Sequence, residues 1–543
     1  MEHKIKQFRK TVFISFILFV QVVLIYAYYT QQDFINNFKS DYLSQVYFPA
    51  YRYELEKNPY LKNPGSINQS LAAGPNIKAI PVLLYHGIVE REDGSNILVD
   101  DFRNQMFALK NAGYQTVTLN DFYQFAQGKK ELPDKSFLLT FDDGRKDSYY
   151  PADPILSALD YNAVMFVITR YINAKNENFY LHKAELQKML DSKHWELEAH
   201  TKEGHDMVTI SADDQKGHYY TNKLWNNDSG LESDRAYDDR VFNDIVEARN
   251  DLENNFGIKP LAFAFPFGDF GLSSVNYPQS KDKILDITHY TYPISFYQIT
   301  LGNGYLYNYF GENDYLFKRI NVDPEWSAND LMAILKAGQP KELPFEDDFT
   351  NYKGWFASSG SYEMHDNSLL LRPSLDSTSA NLFLDGSKLW KNYTFHTVVD
   401  WNKGSKLSLF SHYKDISNYL SCEISDQYVQ LISEFGGNNQ LLSEIQIDPN
   451  FPKINLPVDM KVEGDKVECT VNNATVTFTG VSNEQGYGGV GMRISDNQMG
   501  NGELVVKKIT VADTIDNLIK KTVDSQELLN PLGLPDIFPY NKQ

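Results

Sequence analysis

Cysteine is nearly absent from this chain, with two residues in 543. That excludes a disulfide scaffold and any zinc cluster built on thiolates alone. Basic residues are in the minority, 51 against 71 acidic ones, leaving a formal net charge of −20. A chain this acidic lacks the positive face that nucleic acid needs, so nucleic acid is not an expected partner. Long apolar runs are also missing, with one exception near the N-terminus. What remains has the make-up of folded protein: 42% apolar residues can fill sizeable cores, and 22% charged residues is ordinary. At roughly 150 residues per domain, the length predicts two to four domains. Tyrosine (35) and phenylalanine (34) are abundant. They serve cores and strands first, and their faces also suit sugar rings.

The apolar exception is Thr11 to Tyr29, nineteen residues without a charge. At about 1.5 Å per residue a helix there reaches roughly 28 Å, close to the hydrocarbon thickness of a bilayer. Lys4, Lys6, Arg9 and Lys10 precede it, so residues 1–10 carry +3 and the rest of the chain −23. Positive flanks stay inside. The pattern predicts a cytoplasmic segment at 1–10, a transmembrane anchor at 11–29, and an extracytoplasmic remainder that begins with a stalk or linker at 30–78. A cleaved signal peptide is the competing reading. Tyr26-Ala27-Tyr28-Tyr29-Thr30 makes a poor small-residue cleavage site.

From about 79 to 340 short apolar runs alternate with helical periods. Strands are predicted at Pro81–Tyr85, Ser136–Phe141, Ala163–Ile168, Trp195–Ala199, Ala262–Phe265 and Phe317–Val322. Val241, Ile245, Ala248, Leu252 and Phe256 mark one face of a long helix, and another starts near Ser327. Alternating strand and helix implies a parallel sheet, open or closed as a barrel. Four strands run into a reactive residue or a tight turn: His86, Asp142-Asp143-Gly144, His200, and Pro266-Phe267-Gly268. In an α/β barrel the strand C-termini form the active-site end.

Asp142 and Asp143 are adjacent, and neighbouring strand residues point to opposite faces. Both reach one site only where the strand ends and turns. Like charges so close need a cation or a proton between them. His200 and His205 are five apart, off the spacing of a helix face, so they converge through a turn that Gly204 eases. One carboxylate and two imidazoles make a three-ligand site with open positions. It suits Zn²⁺ with a bound water, while Fe²⁺, Co²⁺ and Ni²⁺ fit the same donors.

These segments resemble a known family. Thr140-Phe141-Asp142-Asp143-Gly144 resembles the first motif of the polysaccharide deacetylases, carbohydrate esterase family 4 with the NodB-homology fold. Ala199-His200-Thr201 through His205 resembles the second motif, and Ala264-Phe265-Pro266-Phe267-Gly268 the third. The five-residue histidine spacing and Tyr85-His86-Gly87-Ile88 are similar to the branch that deacetylates poly-β-1,6-N-acetylglucosamine of biofilm matrix. The resemblance implies a distorted β/α barrel, with Asp143, His200 and His205 as metal ligands. It implies Asp142 as general base and His86 as general acid, with Pro266, Phe267 and Gly268 against the substrate. Two departures stand out. The third motif often begins with an arginine that orients the base, and here that position is Ala264, so the role is vacant or filled from elsewhere. The usual late Leu-x-His is absent as well, which leaves the acid role to His86, with His289 a weak alternative. His182, His194 and His218 read as surface residues. Asp206 to Arg235 reads as a polar surface insertion near the metal site.

From about 342 to 512 the texture becomes all-β, with about ten short runs punctuated by Gly, Asn and Asp, which predicts a β-sandwich. Phe345–Phe349, Gly354-Trp355-Phe356 and Gly488–Gly491 resemble concanavalin-like jelly-roll modules, often carbohydrate-binding. Cys422 and Cys469 fall in predicted strands and pair only if those strands come together. A tail occupies 513–543. The expected whole is a membrane-anchored hydrolase that removes N-acetyl groups from an N-acetylhexosamine exopolysaccharide. Its expected partners are that polymer, the membrane, and machinery that makes or exports the polymer. Peptidoglycan or chitin as substrate, and a catalytically weak glycan-binding or matrix-organising protein on the same fold, are the alternatives.

Overall fold

The structure is a computed structural model that describes residues 17–26, 77–174, 179–302, 304–312, 314–482 and 486–514. The segment 1–10, part of the predicted anchor, nearly all of the stalk and nearly all of the tail lie outside these residues. Within the predicted anchor, residues 17–26 are helical. No helix among the described residues is long and apolar enough to cross a membrane. The chain divides into two compact units, residues 1–300 with 307–333, and residues 301–306 with 334–543.

Seven parallel strands form the first unit: β1 (Val82–Tyr85), β2 (Ser136–Phe141), β3 (Ala163–Ile168), β4 (Trp195–Thr201), β5 (Ala262–Ala264), β6 (Ile294–Ile299) and β7 (Leu316–Asn321). Each pairs with its neighbours in sequence, and β7 pairs with β1, which pairs with β2, so the sheet closes into a barrel. A closed parallel sheet is covered on both faces, which is why β1, β2 and β3 are buried at every position. Helices accompany the strands: α1 (Val99–Asn111), α2 (Leu119–Ala126), α3 (Lys146–Leu159), α4 (Lys183–Ser192), α5 (Asp234–Phe256), α6 (Ser280–Thr291) and α7 (Ala328–Gly338). The strand β6 is absent from the sequence-based reading. Its Ile-Ser-Phe-Tyr-Gln-Ile run is only partly apolar, so it lacks the texture of its neighbours.

Val82, Leu138, Phe166, Ala264, Phe296 and Phe317 share one core cluster, the barrel interior. Helix α2 closes the end where the strands begin. Its N-cap Thr118 accepts the Asp121 N–H at 3.1 Å. Its Phe122 packs on Phe296 and Phe317, with ring centroids 5.5 and 5.2 Å away. Two interior carboxyls tie β4 to its surroundings: Glu196 accepts the Leu119 N–H at 2.9 Å and Glu198 the Ala262 N–H at 2.7 Å. Burial pushes the Glu198 carboxyl well above its ordinary range. With this end plugged, the opposite end carries the chemistry.

The second unit is a sandwich of an eight-stranded and a seven-stranded antiparallel sheet. Trp355, Trp401, Met460 and Met492 lie in its core. The ten runs read from sequence match ten of its strands, and five more lie at Phe345–Asp347, Trp355–Ser359, Ser361–His365, Ser379–Leu384 and Asn438–Gln446. Cys422, on the strand Asn418–Ile424 of one sheet, forms a disulfide with Cys469, on Lys466–Val471 of the other. The two strands are partners across the core rather than within a sheet.

The bridge closes a loop with a sequence separation of 47. In the chain-entropy account this stabilises the folded state by about 4 kcal/mol. Cys422→Ser with Cys469→Ser should therefore lower the unfolding midpoint of the sandwich. Calorimetry of both proteins without reductant checks it, and equal midpoints would contradict it.

Candidate metal centre

The site is built at the C-terminal ends of the strands. Strand β2 delivers Thr140 and Asp142 to the interior, and the chain then turns sharply: Asp143 has φ +73° and Gly144 φ +70°. Two left-handed residues in succession swing Asp143 round to the side that Asp142 faces. That turn is the geometric requirement the sequence set for the pair. Asp tolerates this conformation better than most residues, because its short side chain bonds locally.

From β4, His200 enters fully buried. Its Nδ1 donates to the Ala264 carbonyl at 2.7 Å, which leaves the Nε2 lone pair facing Asp143 Oδ1 at 3.5 Å. Residue 264 thus contributes its backbone, whatever its side chain. The turn to His205 is tied by a buried carboxylate from α5. Asp244 accepts the Thr201 hydroxyl at 2.7 Å, the Lys202 N–H at 3.2 Å and the Glu203 N–H at 2.6 Å, and also the Tyr220 hydroxyl. Gly204 donates to the Thr201 hydroxyl at 2.6 Å, and a Cβ there would stand 2.4 Å from the Tyr220 ring. Only glycine passes through this gap. Outside, Arg170 braces the same turn through Glu203 and Asp206. The result places His205 Nε2 3.1 Å from Asp143 Oδ1.

One donor atom each from Asp143, His200 and His205 lies within 4.8 Å of the others. Asp143 Oδ1 is buried with no hydrogen-bond partner. A buried carboxylate oxygen facing an imidazole lone pair is an arrangement that calls for a cation, so the donor set fits a divalent metal. Burial alone would raise the Asp143 carboxyl, yet whenever the facing His200 and His205 rings carry protons their charge holds it well below the usual range.

Arg319 is the residue the sequence did not reveal. It projects from β7 into the barrel interior, fully buried, and grips Asp142 with two parallel bonds: Nη1 to Oδ1 at 2.6 Å and Nη2 to Oδ2 at 2.7 Å. Its guanidinium carbon lies 5.0 Å from the Phe166 ring centroid. The place left open by Ala264 is therefore filled from another strand. The signal was present: in Phe317-Lys318-Arg319, position 319 shares the inward face of Phe317. Burial works against the charge of Asp142, but Arg319 and His200 together hold its carboxyl below the ordinary value.

His86 follows β1 and faces the same cluster. Burial pulls its imidazole below the ordinary value, the charges of Asp142 and Asp143 oppose this, and Arg319 and His200 reinforce it. Tyr180 lies within the electrostatic reach of Asp143, next to Leu181, whose N–H donates to the Gly144 carbonyl at 2.7 Å. Burial and the negative charge of Asp143 push its hydroxyl up to about 12. Pro266 is buried, while Phe267 adopts φ +59° and presents an exposed edge beside His205, with centroids 4.6 Å apart. Gly268 passes against Gln298 where a Cβ would stand 2.2 Å from that side chain.

The reading of His218 as a surface residue is corrected. Its ring stacks on Phe267 at 4.4 Å, and its Nδ1 lies 2.6 Å from Asp269 Oδ2. The insertion 206–235 is ordered by two hairpins, Met207–Thr209 with Lys216–His218 and Trp225–Asn226 with Gly230–Leu231, and the first brings His218 to the site. His289, in α6, packs against the Tyr315 ring with centroids 4.2 Å apart. His182 caps α4, and His194 precedes β4 at the plugged end of the barrel.

Residues 129–282 match the family model described as polysaccharide deacetylase. The chain carries a polysaccharide deacetylase domain. A relative in Escherichia coli (strain K12), named poly-beta-1,6-N-acetyl-D-glucosamine N-deacetylase, is 25% identical over 180 residues, 31% of this chain and 27% of that one. A protein of the same name in Staphylococcus aureus (strain MRSA252) is 29% identical over 171 residues, 31% of this chain and 52% of its own. The chain thus spans about a quarter of the first relative and about half of the second. Among solved structures, a de-N-acetylase from Aggregatibacter actinomycetemcomitans is 20% identical with a TM-score of 0.40, covering 47% of this chain and 99% of that one. In the deacetylase domain, both the double aspartate and the two histidines fall inside the matched segment, whereas His86 and Arg319 lie outside it.

Two predictions follow from this geometry. Arg319→Met leaves Asp142 buried and unpaired, which should cost about 3–5 kcal/mol of stability at pH 7. The parent's Asp142 pairing is complete above about pH 4 and is lost only as pH falls through the lower folded-state value. In the variant the orphaned carboxyl takes up a proton more readily, so the gap should narrow on acidification. Urea unfolding of both proteins from pH 7 to 4 reads it, and equal stability at pH 7 would contradict it. The second concerns metal. Burial pulls the His205 imidazole down, but Asp143 and Asp142 outweigh it and raise it above its ordinary 6.5. Protons therefore compete with metal, and Zn²⁺ affinity should weaken by about tenfold per pH unit below that raised value. Chelator competition from pH 8 to 6 measures it, and a flat profile would contradict it.

Proposed function

We propose that the protein is a metal-dependent hydrolase that removes N-acetyl groups from an N-acetylhexosamine exopolysaccharide of the poly-β-1,6-N-acetylglucosamine kind. The observation that carries this reading is the convergence of Asp143, His200 and His205 beside a carboxylate, Asp142, that Arg319 keeps ionised. The named N-deacetylase relatives support the polymer class.

A divalent metal held by Asp143, His200 and His205 supplies Lewis acidity, activating water and polarising the acetamide carbonyl. Zn²⁺ suits the donors, and Co²⁺, Ni²⁺ or Fe²⁺ fit as well. Asp142 is the general base. Each of its oxygens spends one lone pair on Arg319 and keeps another, and Oδ2 lies 4.0 Å from His200 Nε2, beside the ligand cluster. It takes the proton of the attacking water. His86, which feels the charges of Asp142 and Asp143, gives a proton to the departing sugar amine as the C–N bond breaks, and acetate is released. Pro266, Phe267 and Gly268 line the approach. Arg319 supplies the guanidinium that Ala264 lacks.

The extracytoplasmic location is part of the same proposal. Its supports are the uncharged run 11–29 with its basic flank, and a disulfide of the kind oxidising compartments maintain. The β-sandwich is proposed to hold glycan, and machinery that makes or exports the polymer is the proposed partner.

Acetate release from β-1,6-linked, β-1,4-linked and peptidoglycan substrates with Zn²⁺ or Co²⁺ tests the reading. Release is expected to be fastest on the β-1,6 polymer. Asp142→Asn should abolish turnover with metal still bound, and His86→Ala should lower kcat by about 10²–10⁴. Faster release from the β-1,4 polymer or peptidoglycan would move the substrate. No release from any of them would overturn the activity.

A further inference from the structure

The dyad of His218 and Asp269 takes no part in the chemistry described above, yet it is built as carefully as the metal site. Asp269 is buried. Its Oδ1 accepts the backbone N–H groups of Gly271, Leu272 and Ser273 at 3.1, 2.9 and 3.2 Å, which fixes Oδ2 toward His218. The backbone carrying His218 is clamped in turn. Asn222 donates to its carbonyl at 3.2 Å, Arg240 to the Tyr219 carbonyl at 2.7 Å, and Tyr237 to the Tyr220 carbonyl at 2.5 Å. With Nδ1 committed to Asp269, the Nε2 edge of a part-exposed ring is the group left to act.

The position of that edge follows from the stack. His205, Phe267 and His218 succeed one another at 4.6 and 4.4 Å, and the Phe267 and His218 planes differ by only 10°. A whole phenyl ring therefore separates His218 from the metal ligands, too far for it to reach the scissile amide. Phe267 is held at φ +59°, a conformation an aromatic residue rarely adopts, and such strain gathers where function requires it. Met207, 51% exposed, is the cross-strand partner of His218, so the two side chains share a face. The strip therefore offers an exposed phenyl edge, a locked hydrogen-bonding nitrogen and an apolar thioether. That mixture matches a pyranose ring, with its C–H face and its hydroxyl rim.

We propose that His218, oriented by Asp269 and backed by Phe267 and Met207, is a substrate-contacting residue. It hydrogen-bonds a hydroxyl or acetamide of the sugar unit next to the one being deacetylated. This rests on the deacetylase reading and adds to it: a neighbouring unit is recognised, so the protein prefers polymer to monosaccharide.

The test compares parent, His218→Ala and His218→Gln, all zinc-loaded, by calorimetry with N-acetylglucosamine and its β-1,6-linked tetramer. Losing one hydrogen bond should weaken tetramer binding by about three- to tenfold, with a smaller loss for the monosaccharide and partial rescue by glutamine. KM for the tetramer should rise more than kcat falls. An equal loss for both ligands, a matching loss of Zn²⁺ affinity, or no tetramer binding by the parent would each overturn the proposal. Acetate release by the parent is scored separately. Its absence would overturn the deacetylase reading, and the length-dependent loss of binding would still decide His218.

Discussion

Two adjacent aspartates buried at one strand end pose an electrostatic problem that the rest of the domain answers. Left alone, one of them would hold a proton. Arg319 meets the first carboxylate from inside the barrel, and the second faces the His200 and His205 nitrogens, a donor set that fits a divalent cation. The two negative charges are thereby divided between different partners and can coexist. This division fixes which strand must carry the arginine and which turn must carry the histidines. It also places the site where the barrel is open, because Phe122 and its neighbours on α2 have filled the other end.

The same economy governs the turn between the two histidines. A five-residue gap has no regular structure to enforce convergence, so Asp244 supplies the missing constraint. It collects two backbone N–H groups and two hydroxyls into one buried carboxylate. One of those hydroxyls belongs to Tyr220, within the insertion that also carries His218. The ligand geometry and the rim of the site are therefore mechanically linked: what holds His205 also seats the hairpin beside it.

Much of this was legible in the sequence because parallel barrels have an obvious texture. Apolar runs ending at His86, Asp142, His200 and Pro266 marked four strand ends, and the requirement that the Asp pair sit on a turn was met by φ values of +73° and +70°. Other parts were not legible, for identifiable reasons. Strand β6, Ile-Ser-Phe-Tyr-Gln-Ile, is neither a continuous apolar run nor a regular alternation, and it has no motif at its end. Arg319 looked like an ordinary charge until the parity of β7 was known. His218 is linked to Asp269 across 51 residues, and no local pattern encodes such a contact. In the sandwich, the missed strands include the edge strand Asn438–Gln446, largely exposed, and Ser361–His365, with no fully buried position. Their side chains carry little of the hydrophobic signal that betrays a strand.

The division of the chain has a topological consequence. Residues 301–306, between β6 and β7, belong to the second unit, where the Tyr305 hydroxyl donates to the Tyr413 carbonyl at 3.0 Å. In sequence the chain passes from the first unit to the second and back between β6 and β7, and passes to the second again within α7. The two units are thus interleaved in sequence rather than strung like beads. A cut after residue 333 therefore does not separate the two units, because Tyr305 and its neighbours in the second unit lie on the N-terminal side of it.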